Sequence, residues 1–144
     1  MLPAAISILP LVIVPFCLPG TIHPARRGGY PLAMGIATSH HLLAASAADL
    51  VAAHAVEEGR VRPHRTMDGD GFRIRTLAMD AGSMLREHKA PVPILVTVVS
   101  GRVLFRVDGV EYDLTAGGAI QVAASEPHEL EAVEASHVLL ALMG

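Results

Sequence analysis

Tryptophan is absent from this 144-residue chain, and aromatic residues together make up only 3% of it. The hydrophobic share is nevertheless 51%. A core must therefore be built from Ala, Val, Leu and Ile rather than from stacked rings. Cysteine occurs once, as Cys17, which excludes an intramolecular disulfide and a Cys-based zinc site and fits a reducing compartment. Positive charge is not in excess either. The formal net charge is -3, so nothing favours a phosphate backbone, and no nucleic-acid partner is expected. The basic residues that do gather, Arg60, Arg62, Arg65, Arg73 and Arg75, read as one solvated face. The acids Glu126, Glu129, Glu131 and Glu134 read as another. Nucleophile elbows, phosphate-cradling glycine loops and paired-carboxylate signatures are all missing.

The first positive charge arrives only at Arg26. A secretory signal needs one ahead of its apolar stretch. A membrane helix needs about 20 apolar residues without repeated breaks, whereas Pro10 and Pro15 would each remove a helix hydrogen bond here. Residues 1–33 are accordingly expected to be an apolar, Pro- and Gly-rich leader outside the fold. No stable membrane association and a cytoplasmic location go with that reading. Gly20, Pro24, Gly28, Gly29 and Pro31 give the segment its linker character, and Met34 directly after it offers an alternative start of translation.

Residues 34–71 are expected to hold one helix and an extension. Within 43–58, Leu43, Ala47, Leu50, Val51 and His54 share a face at helical spacing. Ser46 caps the helix with Asp49 in a capping-box arrangement, and Gly59 is the expected stop. His40, His41 and His64 fall in expected loop or linker and are assigned to solvent. From Phe72 the pattern changes to short β-rich runs. They are Phe72–Met79, Met84–His88, Ile94–Ser100, Arg102–Val107, Val110–Leu114, Ala119–Ala123, Glu129–Val133 and His137–Met143. Asp108-Gly109 suits a two-residue type I′ hairpin. Val103, Phe105 and Val107 should point inward while Arg102, Leu104 and Arg106 point outward. His137 is expected to face outward, and the methionines to fill the core. So many strands without a second helix between them exclude a parallel sheet and predict an all-β sandwich or barrel of the jelly-roll class over 72–144. Spacing alone does not separate sandwich from barrel.

Two spaced patterns then carry a resemblance. Gly82 is followed after five residues by His88, and Gly101 closes the stretch. Gly117 opens a second pattern that reaches His128. The two resemble the cupin motifs: Gly, five residues, His-x-His, three or four residues, Glu, six residues, Gly; then Gly, five residues, Pro-x-Gly, two residues, His, three residues, Asn. Ala90 stands at the second His, Ile94 at the Glu, Ala123 at the Pro, Ser125 at the Gly and Ala132 at the Asn. Glu87-His88-Lys89-Ala90-Pro91, with Ser100-Gly101-Arg102-Val103 and the run from Pro127 to Ala132, is similar to a subgroup of small conserved-barrel cupins with His-Lys-Ala-Pro in place of His-x-His. The resemblance implies a cupin jelly-roll barrel with the helix packed outside.

A full cupin site places three imidazoles and one carboxylate on a transition metal. This chain keeps His88 and His128 only. The resemblance thus implies a degenerate metal site at those two residues. No cofactor is expected, although a divalent transition metal remains chemically open. Ala90 and Ile94 make the wall more apolar, and His88, Ala90, Ile94 and His128 together outline a pocket for a small, partly apolar ligand. The alternative is a metal-dependent isomerase or dioxygenase using His88 and His128. A homodimer through sheet edges is compatible with either.

Overall fold

The computed structural model describes residues 40–144. The leader reading of residues 1–33, the Met34 start and Cys17 all lie outside the described residues. One helix, α1 (Ala47–Ala53), precedes nine strands: β1 (Val61–Gly69), β2 (Phe72–Met79), β3 (Met84–His88), β4 (Ile94–Ser100), β5 (Arg102–Val107), β6 (Val110–Thr115), β7 (Ala119–Val122), β8 (His128–Ala132) and β9 (Ser136–Met143). They form two antiparallel sheets, ordered β1-β2-β9-β4-β7 and β3-β8-β5-β6. Late strands lie between early ones in both, which is the interleaving of a jelly roll.

Alternation along the strands explains the core. Leu77, Met79, Ile94, Val96, Val98, Val103, Phe105, Leu130 and Val138 are buried between the sheets. Burying each such side chain contributes about 1.5–3 kcal/mol. Among the described residues, Phe105 is the only aromatic ring of the buried apolar set, so packing is carried by aliphatic groups as the composition requires. On the outer face of the four-stranded sheet, Arg106 reaches Glu111, Glu129 and Glu131, and Arg102 pairs with Asp113. The acids Glu129 and Glu131 are therefore ion-paired rather than merely solvated. On the other sheet Asp68 pairs with Arg65 and Arg75, and Glu57 with Arg60 and Arg62.

The turns follow local chemistry. Asp108 and Gly109 both take positive φ, 50° and 71°, as a type I′ hairpin requires. Gly101 is needed twice over. Its φ is +81°, and a Cβ there would overlap Ser136 and the Ala135 carbonyl. Ser136 sits under this turn, where its Oγ accepts from the Arg102 N–H at 3.0 Å.

Several expectations need correction. The helix spans Ala47–Ala53, not 43–58. Its cap is as expected, with the Asp49 N–H donating to Ser46 Oγ at 3.2 Å, but the chain leaves the helix at His54 and runs out to Val61 and β1. Gly59 instead ties to the strand turn, its N–H donating to Asp80 at 2.7 Å. Strand β1 was not anticipated. It lies in the stretch expected to be helix and extension, at a sheet edge where Pro63 is tolerated. An irregularity between Arg65 and Met67 breaks its alternation. His64 is thereby half-buried rather than in a solvated linker. His137 does point to the face opposite Val138, yet it is buried beneath the segment that follows α1, through a hydrogen bond to the His54 carbonyl. Of the methionines, Met79 is buried, whereas Met84 and Met143 are exposed because they fall on outward strand positions.

Candidate functional site

Strands β3 and β8 pair so that His88 lies opposite His128. The rings meet edge to face, their centroids 4.3 Å apart at 61°. On its other side His128 lies nearly parallel to Phe105, at 5.6 Å and 15°. These contacts hold the His128 ring in one orientation.

The backbone fixes the tautomer of both rings. Nδ1 of His88 is 2.9 Å from the Arg86 carbonyl, and Nδ1 of His128 is 2.8 Å from the Glu126 carbonyl. A carbonyl only accepts, so each Nδ1 must carry the proton, and Nε2 of the neutral ring is left with its lone pair. No group among the described residues bonds either Nε2. Burial, the largest influence, pushes the His128 pKa below its ordinary 6.5. The nearby His88 adds to this, and the Glu126 carbonyl opposes it. At neutral pH His128 is therefore a neutral acceptor.

Both rings border a cavity of about 210 Å³ between the two sheets. Its walls are aliphatic: Leu77, Ile94, Val96, Leu140 and Leu142 from the five-stranded sheet, with Leu130 and Phe105 opposite. Lys89, Ala90 and Pro91 complete the lining from the β3–β4 connection. That connection is tied to the β7–β8 loop by the Ser125 N–H, which donates to the Ala90 carbonyl at 2.7 Å. Ser125 stands at the motif's glycine position and keeps a left-handed backbone, φ 65°.

The structure thus brings His88, Ala90, Ile94 and His128 around one space. Phe105, Leu130, Leu140 and Leu142 were not singled out. Strand alternation could place them inside the barrel, but only the folded register puts them beside the histidines. The donor set does not fit a resident cupin metal. Two imidazoles are too few for a stable site, Ala90 and Ile94 offer no donor, and among the described residues no group of three or more His, Cys, Asp or Glu could hold an ion.

A second histidine group lies away from the cavity. His54 and His64 stack at 4.5 Å, and His137 Nε2 donates to the His54 carbonyl at 2.6 Å while its Nδ1 meets Ser100 Oγ at 3.1 Å. These residues hold the segment after α1 against the five-stranded sheet.

Residues 75–143 match the cupin domain family. Among solved structures, a conserved protein of unknown function from Streptococcus pyogenes is 27% identical, with 62% of this chain and 78% of that chain covered at a TM-score of 0.57. An RmlC-like cupin protein from Desulfovibrio desulfuricans is 23% identical, with 74% and 95% covered and a TM-score of 0.59. A cupin superfamily protein from Desulfitobacterium hafniense is 16% identical, with 64% and 84% covered and a TM-score of 0.61. No curated protein matches the chain.

Proposed function

The chain carries a cupin domain over residues 75–143, and from that premise we propose that its barrel binds a small, partly apolar molecule. One observation carries the reading: an apolar cavity of about 210 Å³ with two convergent imidazoles and Lys89 as its polar side chains. Apolar walls with a few placed polar groups are the usual make-up of a ligand pocket. The volume lies below the ~300–1,000 Å³ of drug-sized sites, so the occupant is smaller than a drug. The test is methyl NMR of the full chain with toluene as probe. Shifts should concentrate on Ile94, Val96, Leu140 and Leu142 and disappear in Ala90→Leu, which fills the cavity from the loop side. Shifts scattered over the surface would overturn the proposal.

A second reading, a metal-dependent isomerase or dioxygenase, is favoured by the two unprotonated Nε2 atoms of His88 and His128. It requires donors that this chain's own pair does not supply. Stoichiometric, tight binding of a divalent transition metal by the purified protein would establish it over the first. For either reading we place the protein in the cytoplasm as a homodimer. Strands β1, β7, β3 and β6 end their sheets, and β6 exposes Val110 and Tyr112. Edge pairing would cover such unpaired strands. Light scattering that gives a monomer mass at all micromolar concentrations would refute the dimer.

No helix among the described residues is long and apolar enough to cross a membrane.

A further inference from the structure

We propose that the molecule held in the barrel is uncharged and carries a hydrogen-bond-donating head, a hydroxyl or N–H group, on an apolar body. The inference rests on the ligand-binding reading above and specifies the chemistry of its occupant.

The polarity of the cavity is one-sided. Both imidazoles spend their proton on a backbone carbonyl two residues earlier, at Arg86 and Glu126. Each therefore presents an acceptor at Nε2 and has no second donor to offer. Among the described residues, the only fully buried polar side-chain atom without a partner is His64 Nε2. His128 Nε2, which also has no partner, must then keep some accessible surface. Because His128 itself is buried and borders the cavity, that surface belongs to the cavity. Phe105 and His88 pack against the ring, so it cannot readily turn to exchange acceptor for donor.

Charge is disfavoured in the occupant by its surroundings. A carboxylate would lose its hydration among Ile94, Val96, Leu140 and Leu142 and would face the two imidazole lone pairs, with Lys89 as the one cationic side chain of the lining to offset this. An ammonium group would meet Lys89, which also lines the cavity, and no carboxylate lines it to compensate. A neutral O–H or N–H group satisfies Nε2 while its hydrocarbon part fills the aliphatic space. Without such a donor, the acceptor of His128 stays unsatisfied once the cavity is filled, and this disfavours wholly apolar occupants.

The experiment compares three probes with the same ring: toluene, phenol and benzoate. Each is titrated calorimetrically into the full chain at pH 7.5 with a chelator present. Phenol is expected to bind about fivefold to tenfold more tightly than toluene, the yield of one net hydrogen bond, and benzoate most weakly. In His128→Phe, which keeps an aromatic ring against Phe105, the phenol advantage should vanish while toluene binding persists. Because that variant also gives up the bond to the Glu126 carbonyl, imidazole nitrogen NMR of the wild type provides a second reading. Phenol should shift Nε2 of His128, and toluene should leave it in place. Equal affinities for phenol and toluene, or an unmoved Nε2, would overturn the inference and leave the pocket standing. Tightest binding by benzoate would overturn it in favour of an anion site. Binding of none of the three would overturn the pocket reading and this inference with it.

Discussion

Refilling the two vacated ligand positions, with Ala90→His and Ile94→Glu in one chain, tests the alignment on which the site rests. Ile94 is 4% exposed and lies between Val122 and Leu142 in the register of β4. Replacing it with Glu removes a buried hydrocarbon side chain, about 1.5–3 kcal/mol, and adds the desolvation of a carboxyl group, on the order of 1–3 kcal/mol. Ala90 sits half-buried in the β3–β4 connection at the rim of the cavity, outside any strand, where a larger side chain adds little to this cost. The metal-free double variant should therefore lose about 3–5 kcal/mol, read from denaturant unfolding. Nickel or zinc should restore most of this. A ligand at about 1,000 times its Kd stabilises by about 4 kcal/mol, and three imidazoles with a carboxylate make four donors, of which His88 and His128 alone supply two. Calorimetric titration should show weak binding to wild type, an affinity raised by orders of magnitude in the double variant, and loss of the gain when His128→Ala is added. Tight stoichiometric binding by wild type would mean that another side chain completes the shell. A folded double variant with no gain would mean that the four positions do not converge, and the site assignment would fall.

Three further outcomes follow from local geometry. Gly101→Ala should cost about 2–4 kcal/mol in unfolding free energy, because the new Cβ meets Ser136 and the Ala135 carbonyl at a positive φ; an unchanged midpoint would show that the turn is free to move. Ser125→Gly should stabilise by up to about 1 kcal/mol, since φ 65° is strained for Ser and not for Gly; a loss would mean that the serine side chain supports the loop. Acid should weaken the fold in two steps. Burial, with smaller effects from His64 and His137, lowers the His54 pKa from 6.5, so the unfolded chain takes up protons first and stability falls as pH drops below about 6.5. Hydrogen bonds from Arg75 and Arg102 lower the pKa values of Asp68 and Asp113 from 3.8, so their contribution is present above that value and is lost as pH falls through their folded-state values. Unfolding free energies flat between pH 7 and 5 would contradict the first step.

Local signals made most of the strands legible. Strands β2 to β5 have the bounds that their alternation and flanking turn residues imply, and Asp108-Gly109 closes the β5–β6 hairpin as read. Glycine spacing carried the site as well, because Gly82, Gly101 and Gly117 all take positive φ and so fix how far His88 and His128 stand from their turns. Strand β1 was illegible for a physical reason. An edge strand buries one face only in part, accepts Pro63, and shifts register near Thr66, so neither composition nor period marks it. The expected helix is too long because no Gly or Pro interrupts residues 54–58, while the His54 carbonyl is taken by His137 from a strand more than 80 residues on. No local rule contains that contact.

The two histidine groups show why residue identity alone could not separate site from scaffold. His137 uses both ring nitrogens within the protein, one toward the His54 carbonyl and one toward Ser100 Oγ. It is satisfied, and it fastens the segment after α1 to the sheet. His128 uses only one. Its second nitrogen keeps accessible surface at an apolar cavity, where Ala90 and Ile94 stand at the positions of the family pattern's other metal ligands and supply no polar atom. Both residues are equally buried, at 4% exposure, so burial does not distinguish them. The unsatisfied acceptor does. A buried polar atom without a protein partner is disfavoured unless water or a ligand completes it. His64 Nε2 in the other group also lacks a partner, but it is closed off, whereas His128 borders the cavity; a free acceptor that a molecule can reach is what marks the His88–His128 pair as the place where one from outside would be held.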